Sequence, residues 1–294
     1  MNITKNSFNL MKTFSNIKCS NNIKQTNITT NIFNKLFEYI SDFDKELINI
    51  KSKISNKHFY NRRRKKIINK NDVKYIPKPK TFTDDNFPKE VISYINTNNK
   101  ISNIITYSIR LFNRHITINF ITEKQNIILK TYDTYVDNIL IWLYIVNKYA
   151  DIECANQLTL FFYQTNLIKQ LPTTNTQIID QIHANTAFTR TCQKNAEIVI
   201  FRNEEWFKVF LHETIHTFGL DFSGVNNDYC TKNMLSLFNI KSDINLFESY
   251  TEFWARIINA LFCSYNYFKQ ENIKKKQLNT PINYELLNEL ASNF

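Results

Sequence analysis

The segment Asn203–Gly219, NEEWFKVFLHETIHTFG, constrains this chain more than any other. Phe207, Leu211, Thr214, Ile215 and Phe218 recur at helical spacing, so they form an apolar stripe that must be buried. Asn203 suits the N-cap, and Glu204 and Glu205 complement the helix dipole in the first turn. On a different face His212 and His216 stand one turn apart, with Glu213 beside the first of them. This is H-E-x-x-H on a helix: the i, i+4 spacing lets two imidazoles converge on one metal ion, and the adjacent carboxylate leans over the open coordination position. The chain has five histidines, and its composition alone would produce roughly 0.004 such matches in this length. Two surface histidines on an amphipathic helix are therefore the weaker reading. The chain's two glycines, Gly219 and Gly224, both follow this helix. Each is expected to meet a backbone need, such as a left-handed helix cap or a close turn.

A metal site of this type requires a third protein ligand. In the segment Leu246–Phe262 the apolar spacing is helical, and Glu248 and Glu252 share one face. One carboxylate can bind the metal while the other, a turn away, receives the second N–H of a liganding imidazole. Asp221 and Asp228, shortly after the second histidine, are the alternative metal ligands. Glu248 is favoured over both, and Glu252 is the candidate for the supporting role.

The rest of the chain reads as α+β. Ile105, Tyr107 and Ile109 alternate with polar residues, as do Ile116, Ile118 and Phe120, with Asn113-Arg114 between them; Ile127-Ile128-Leu129 adds a short run. These predict strands of a meander. Asp133 or Thr134 can cap a helix through Val136, Ile139, Leu140, Leu143 and Val146, apolar on most sides and expected to be buried against the sheet. Residues 158–163 and 198–201 predict strands buried on both faces. The segment 185–190 between them predicts an edge strand. Hydrophobic residues make up 43% of the chain, with 24 Phe and 15 Tyr, which is enough to form a core and excludes global disorder. No stretch has 18 uncharged apolar residues, and no secretory leader is legible. Cys19, Cys154, Cys192, Cys230 and Cys263 are odd in number and form no C-x-x-C pair, which predicts reduced thiols and an intracellular protein, cytoplasmic or nuclear, and not a secreted one.

The net charge of +11 is unevenly distributed. Residues 1–80 hold 18 Lys+Arg against 5 Asp+Glu, whereas the remainder hold 19 against 21. Residues 1–84 therefore read as a basic N-terminal region and 85–294 as the main domain. Within the former, residues 1–30 are polar and expected to be disordered. Ile32, Leu36, Ile40, Phe43, Leu47, Ile50 and Ile54 mark an amphipathic helix over 32–54, expected to pack on its own chain and not as a coiled coil. Arg62-Arg63-Arg64-Lys65-Lys66 predicts a solvated loop, with a nucleic acid or another anionic partner as the functional reading. The proline-rich stretch 75–88 predicts an extended linker.

With His212-Glu213-x-x-His216 followed by Glu248 in a helix reading E-x-x-T-E-x-W-A, the chain resembles the zincin superfamily of zinc metallopeptidases, in its gluzincin branch. It also resembles zinc-peptidase-like proteins of large DNA viruses in its Asn- and Ile-rich texture, which allows for a place in a virion. The resemblance covers roughly residues 100–270 and is specific at the two metal-ligand helices. It implies a mixed sheet with a backing helix and an active-site helix, one Zn²⁺ per chain, a protein or peptide substrate, and Glu213 as general base toward the attacking water. Asn185, Ala187 and Phe188 resemble a substrate-binding edge strand of such enzymes. Two departures stand out. Phe222 occupies the place of the third histidine of the metzincin branch, and no further histidine is placed to stabilise the transition state. That role would fall to Tyr250, Tyr229, Arg256, Tyr265 or Tyr267. The alternative reading is a non-hydrolytic, metal-stabilised scaffold or assembly protein whose basic N-terminus binds nucleic acid.

Overall fold

The computed structural model describes positions 9, 12, 26–54, 59–83, 88–97, 100–169, 172–174, 176, 186–238, 244–274 and 283–293. Among these residues the helices are α1 (Asn27–Lys53), α2 (Lys89–Thr97), α3 (Leu129–Asn147), α4 (Trp206–Thr217), α5 (Asp228–Leu237), α6 (Leu246–Lys274) and α7 (Tyr284–Asn293). The strands are β1 (Arg63–Lys66), β2 (Asn103–Leu111), β3 (Arg114–Thr122), β4 (Gln157–Gln164), β5 (Ala187–Thr189) and β6 (Asn195–Ile200). The fold is α+β. It comprises two compact units: a helical unit of Met1–Lys53, Ile128–Lys148 and Phe253–Phe294, and a sheet unit of Ile54–Ile127 and Tyr149–Glu252. The division at residue 84 follows charge, whereas these units follow packing.

In the sheet unit the strands form one mixed sheet in the order β1-β2-β3-β4-β6-β5. β1, β2 and β3 run antiparallel, β3, β4 and β6 run parallel, and β5 is antiparallel to β6 at the far edge. The β2–β3 hairpin turns at Phe112 and Asn113, with φ of 55° and 56°. Two successive left-handed residues make the turn whose twist suits a two-residue hairpin, and Asn tolerates that conformation. The continuous apolar run of β4 buries both faces, as a strand flanked by parallel neighbours should. One face carries Phe161 and Tyr163, packed with Ile104, Ile121 and Val199 and with Val91 and Ile95 of α2. The other carries Phe162, stacked on Phe120 at 5.0 Å and edge-on to Trp206 of α4 at 5.1 Å. Aromatic packing thus seats the first turn of α4 on this face.

In the helical unit, α1 buries Ile40, Phe43 and Leu47, the middle of its predicted stripe, and also Phe37, which the stripe does not include; Leu36 is half-buried, and Ile32 and Ile54 at the ends of the stripe are exposed. Phe43 stacks on Tyr144 of α3 at 4.5 Å. Asp44 is also buried, and it accepts hydrogen bonds from the Tyr265 hydroxyl (2.9 Å) and Lys269 of α6. A buried carboxylate demands such partners, so α1 and α6 are pinned in register. The helix therefore packs on its own chain.

Several expectations need correction. The basic run is not a loop: Arg63–Lys66 pair with Thr106, Ile105, Ile104 and Asn103 of β2 as an edge strand whose four side chains remain exposed. Backbone pairing satisfies the chain while the side chains stay exposed, Arg64 donating to Asn103 Oδ1 at 3.1 and 2.9 Å and Lys65 lying over the Tyr75 ring. Residues 127–129 form no strand. Leu129 begins α3, and Ile128, not Asp133 or Thr134, is its N-cap; a three-residue apolar run is too short to distinguish strand from helix. Asn203 does not cap α4, because its N–H is bonded to the Thr165 carbonyl and the helix starts after a left-handed Glu205. The stretch 75–83 does not run free, since the Pro77 carbonyl accepts from Tyr163 and the Lys80 N–H is bonded to Glu197. Cys154 and Cys192 are not free thiols but form a disulfide. The fold joins their loops through Ala155 N–H to the Gln193 carbonyl and Gln157 N–H to the Lys194 carbonyl, a proximity that spacing in sequence does not reveal. Gly224 has no positive φ and open space at its Cβ position, so no backbone need is evident there. Residues 1–8, 10–11, 13–25 and 84–87, within the regions read as disordered or linker, lie outside the described residues.

Candidate metal centre

α4 carries the histidines and is fixed at both ends. Its start is seated by Trp206, as above. Its end is closed by Gly219, with φ of +63°: Gly219 N–H reaches the His216 carbonyl and Leu220 N–H the Ile215 carbonyl. This pair of bonds is a Schellman cap, which calls for a left-handed residue that glycine supplies without a Cβ penalty. Cys192 N–H is bonded to the Thr217 carbonyl, and the Thr217 and Thr189 hydroxyls lie 2.8 Å apart. The last turn of this histidine-bearing helix is therefore tied both to the disulfide loop and to β5.

The imidazoles of His212 and His216 lie on the open face of α4, their Nε2 atoms 3.2 Å apart. Glu248, in the first turn of α6, brings Oε2 to 3.3 Å from His212 Nε2 and 3.4 Å from His216 Nε2. These three residues form a group able to hold a metal ion. A tetrahedral zinc with bonds of about 2.0–2.1 Å has ligand atoms about 3.3–3.4 Å from one another. The three separations match that edge length, and two imidazoles with one carboxylate suit a borderline divalent ion.

Further carboxylates stand behind the ligands. Asp221 is hydrogen-bonded to His216 Nδ1, leaving Nε2 toward the centre. Its other oxygen accepts from the Ser223 hydroxyl at 2.6 Å. Glu252 Oε2 lies 3.3 Å from His212 Nδ1, an electrostatic contact without hydrogen-bond alignment. Lys208, one turn before His212 on α4, places Nζ 3.1 and 3.2 Å from the two Glu252 oxygens.

The electrostatics follow from this crowding. Hydrogen bonds from His212 and His216 hold the Glu248 carboxyl far below the usual range. Burial alone would lower His216, but its bonds to Glu248 and Asp221 outweigh burial and raise it to about 9. Burial raises Glu213 to about 7 against the opposing charge of the two histidines. A carboxyl near neutrality is matched to accepting and returning a proton.

The centre opens into a cleft of about 520 Å³, within the size range of small-molecule and peptide sites. Ala187 and Phe188 of β5, with Thr189, line it together with residues of α4 and α6. Asn185 lies outside the described residues. Asp221 supports His216 and is not one of the three ligands, and Asp228 is bonded to Asn226 in the first turn of α5. Among the described residues none of the tyrosines considered for transition-state stabilisation lines the cleft. Tyr229 is exposed, Tyr250 packs on Phe222, and Tyr265 donates to Asp44 in the helical unit, to which Arg256 and Tyr267 also belong. Sequence reasoning missed Lys208, although its i, i+4 relation to His212 places both on one face of the helix. No helix among the described residues is long and apolar enough to cross a membrane. In comparisons with known proteins, the chain matches no family model, no curated protein and no solved structure.

Proposed function

We propose that the chain is a zinc-dependent metallopeptidase, with His212, His216 and Glu248 as metal ligands and Glu213 as general base. The observation that carries this reading is the trio of ligand atoms at tetrahedral separations beside a cleft walled by a strand edge. A bound zinc ion supplies Lewis acidity toward the substrate carbonyl and lowers the pKa of water toward neutrality. Glu213 takes the proton of the attacking water and returns it to the leaving amine. The outer edge of β5, beside the cleft, offers backbone groups to an extended peptide. The Asp221 hydrogen bond orients the His216 imidazole so that it presents Nε2 to the centre, and Glu252 sets its carboxylate 3.3 Å from His212 Nδ1.

The test is zinc stoichiometry with hydrolysis of an unfolded protein substrate. Wild type is expected to hold one zinc per chain and to cleave. Glu213→Gln is expected to keep the zinc and lose about 10²–10⁴-fold in rate. Cleavage by that variant at the wild-type rate overturns the role of Glu213, and zinc-free wild type overturns the centre.

A second reading rests on β1. Its four cations are exposed, and because successive side chains on a strand point to opposite faces, Arg63 and Lys65 share one face where both can meet a polyanion. In this reading the metal is structural and β1 binds nucleic acid. Anisotropy of a labelled oligonucleotide is then expected to show a steep salt dependence that becomes shallower in Arg63→Ser/Lys65→Ser. An unchanged slope removes β1 from the contact.

A further inference from the structure

We infer that Lys208 is a positioning residue of the metal centre, acting through Glu252 on His212; this rests on the metal reading above. The geometry is a chain of three contacts. Lys208 Nζ spans both Glu252 oxygens at 3.1 and 3.2 Å, and Glu252 Oε2 lies 3.3 Å from His212 Nδ1. His212 Nε2 faces Glu248 and His216 at the centre. The Lys208 side chain is 15% exposed and that of Glu252 32%, so the pair is shielded enough for its geometry to matter, unlike a surface ion pair.

Two features make Lys208 more than a neutralising charge. First, Glu248 and Glu252 are one turn apart on α6, and like charges at that spacing repel. With its ammonium on Glu252, Lys208 draws that carboxylate toward α4 and leaves Glu248 for the centre. Second, a lysine spanning both oxygens restrains the carboxylate plane and therefore the direction in which it meets the imidazole. Glu205, 3.9 Å from the same Nζ, is a weaker second partner.

Coulomb repulsion of the metal by the ammonium and positioning of its ligand predict opposite signs, which makes the inference testable. If Lys208 acted only as a positive charge beside a cation site, its removal would tighten metal binding. If it positions His212 through Glu252, its removal weakens binding by about 10–100-fold, the usual effect of losing an outer partner of a metal ligand.

The experiment is zinc affinity of the full chain by competition with a chromophoric chelator, on wild type, Lys208→Met, Lys208→Arg, Glu252→Gln and Lys208→Met/Glu252→Gln. Circular dichroism of each variant reports folding. Lys208→Met is expected to bind about 10–100-fold more weakly. Lys208→Arg should recover most of the loss, because a guanidinium can still bridge both carboxylate oxygens. In the Glu252→Gln background, removing Lys208 should have little further effect, since the two act in series. Unchanged or tighter binding by Lys208→Met overturns the inference, as does a full additional loss in the double variant. If Lys208→Met alone folds poorly, the comparison of Glu252→Gln with the double variant decides between the two roles. Failure of wild type to bind zinc overturns the metal reading itself and is a separate outcome.

Discussion

Charge is concentrated in two regions of the sheet unit, and the two treat it in opposite ways. At the candidate metal centre the histidines and Lys208 face carboxylates: His216 meets Asp221 and Glu248, His212 meets Glu248 and Glu252, and Lys208 meets Glu252. Along β1, four cations stand side by side, and the β2 residues in register with them are Thr106, Ile105, Ile104 and Asn103, none of them acidic. The difference follows from burial. A half-buried charge must be compensated by fixed partners, whereas an exposed one is compensated by water and salt. The first arrangement fixes its charges against one another, and the second leaves them exposed.

The sharpest way to break this contrast is to remove a ligand. Glu248→Ala is expected to abolish stoichiometric zinc after dialysis, Asp221→Asn to weaken affinity by about 10–100-fold, and Asp228→Ala to leave it unchanged. Zinc retention by Glu248→Ala would show that the trio is not the site.

Next in size is the clamp behind the centre. The Cys154–Cys192 bond closes a loop with a sequence separation of 38, and its loss should destabilise the chain by about 4 kcal/mol on the loop-entropy estimate. Denaturant unfolding of Cys154→Ala/Cys192→Ala measures this. Because Cys192 N–H holds the last turn of α4, the same variant should also bind zinc more weakly. Unaltered stability would mean that the bond contributes nothing to seating the metal helix.

Protons compete with the metal. His216, raised from 6.5 to about 9 by its carboxylate partners, stabilises the metal-free protein fully below pH 6.5, and that contribution is lost as pH rises through about 9. Zinc needs the neutral imidazole, so apparent affinity should climb across the same window as the proton is displaced. A flat affinity profile between pH 6.5 and 9 would contradict the compensated picture of the centre.

Smaller effects belong to backbone and edge. Gly219→Ala must hold an L-residue at a φ of +63°, at a cost of roughly 1–2 kcal/mol in thermal unfolding. Its Cβ would meet Cys192 Cβ at 3.6 Å, an ordinary contact, so strain and not collision sets the value. Arg63→Ser/Lys65→Ser should change stability by less than about 0.5 kcal/mol, since neither side chain is buried. A larger loss would place β1 among the supports of the fold.

Much of the site was legible because it lies on two helices. Helical spacing alone put His212, Glu213 and His216 on α4 and paired Glu248 with Glu252 on α6, and the Gly219 cap followed from its place after the helix. Lys208 was equally legible as an i, i+4 neighbour of His212, but its role became apparent only once α6 brought Glu252 against it. The Cys154–Cys192 pair and the strand identity of Arg63–Lys66 had no local signal. Each depends on segments far apart in sequence becoming neighbours.

Taken by itself, the sequence determined the α+β class, the helix that carries the histidines, the amphipathic α1 and the basic character of the N-terminal quarter, all properties of local periodicity and composition. The tertiary structure decided which carboxylate joins the histidines, which ones stand behind them, how the cysteines pair and that the basic run closes a sheet edge. The physical reason is range: hydrophobic period and helix spacing act within a few residues, whereas ligand geometry, disulfide pairing and strand pairing are set by distances between elements that only packing brings together.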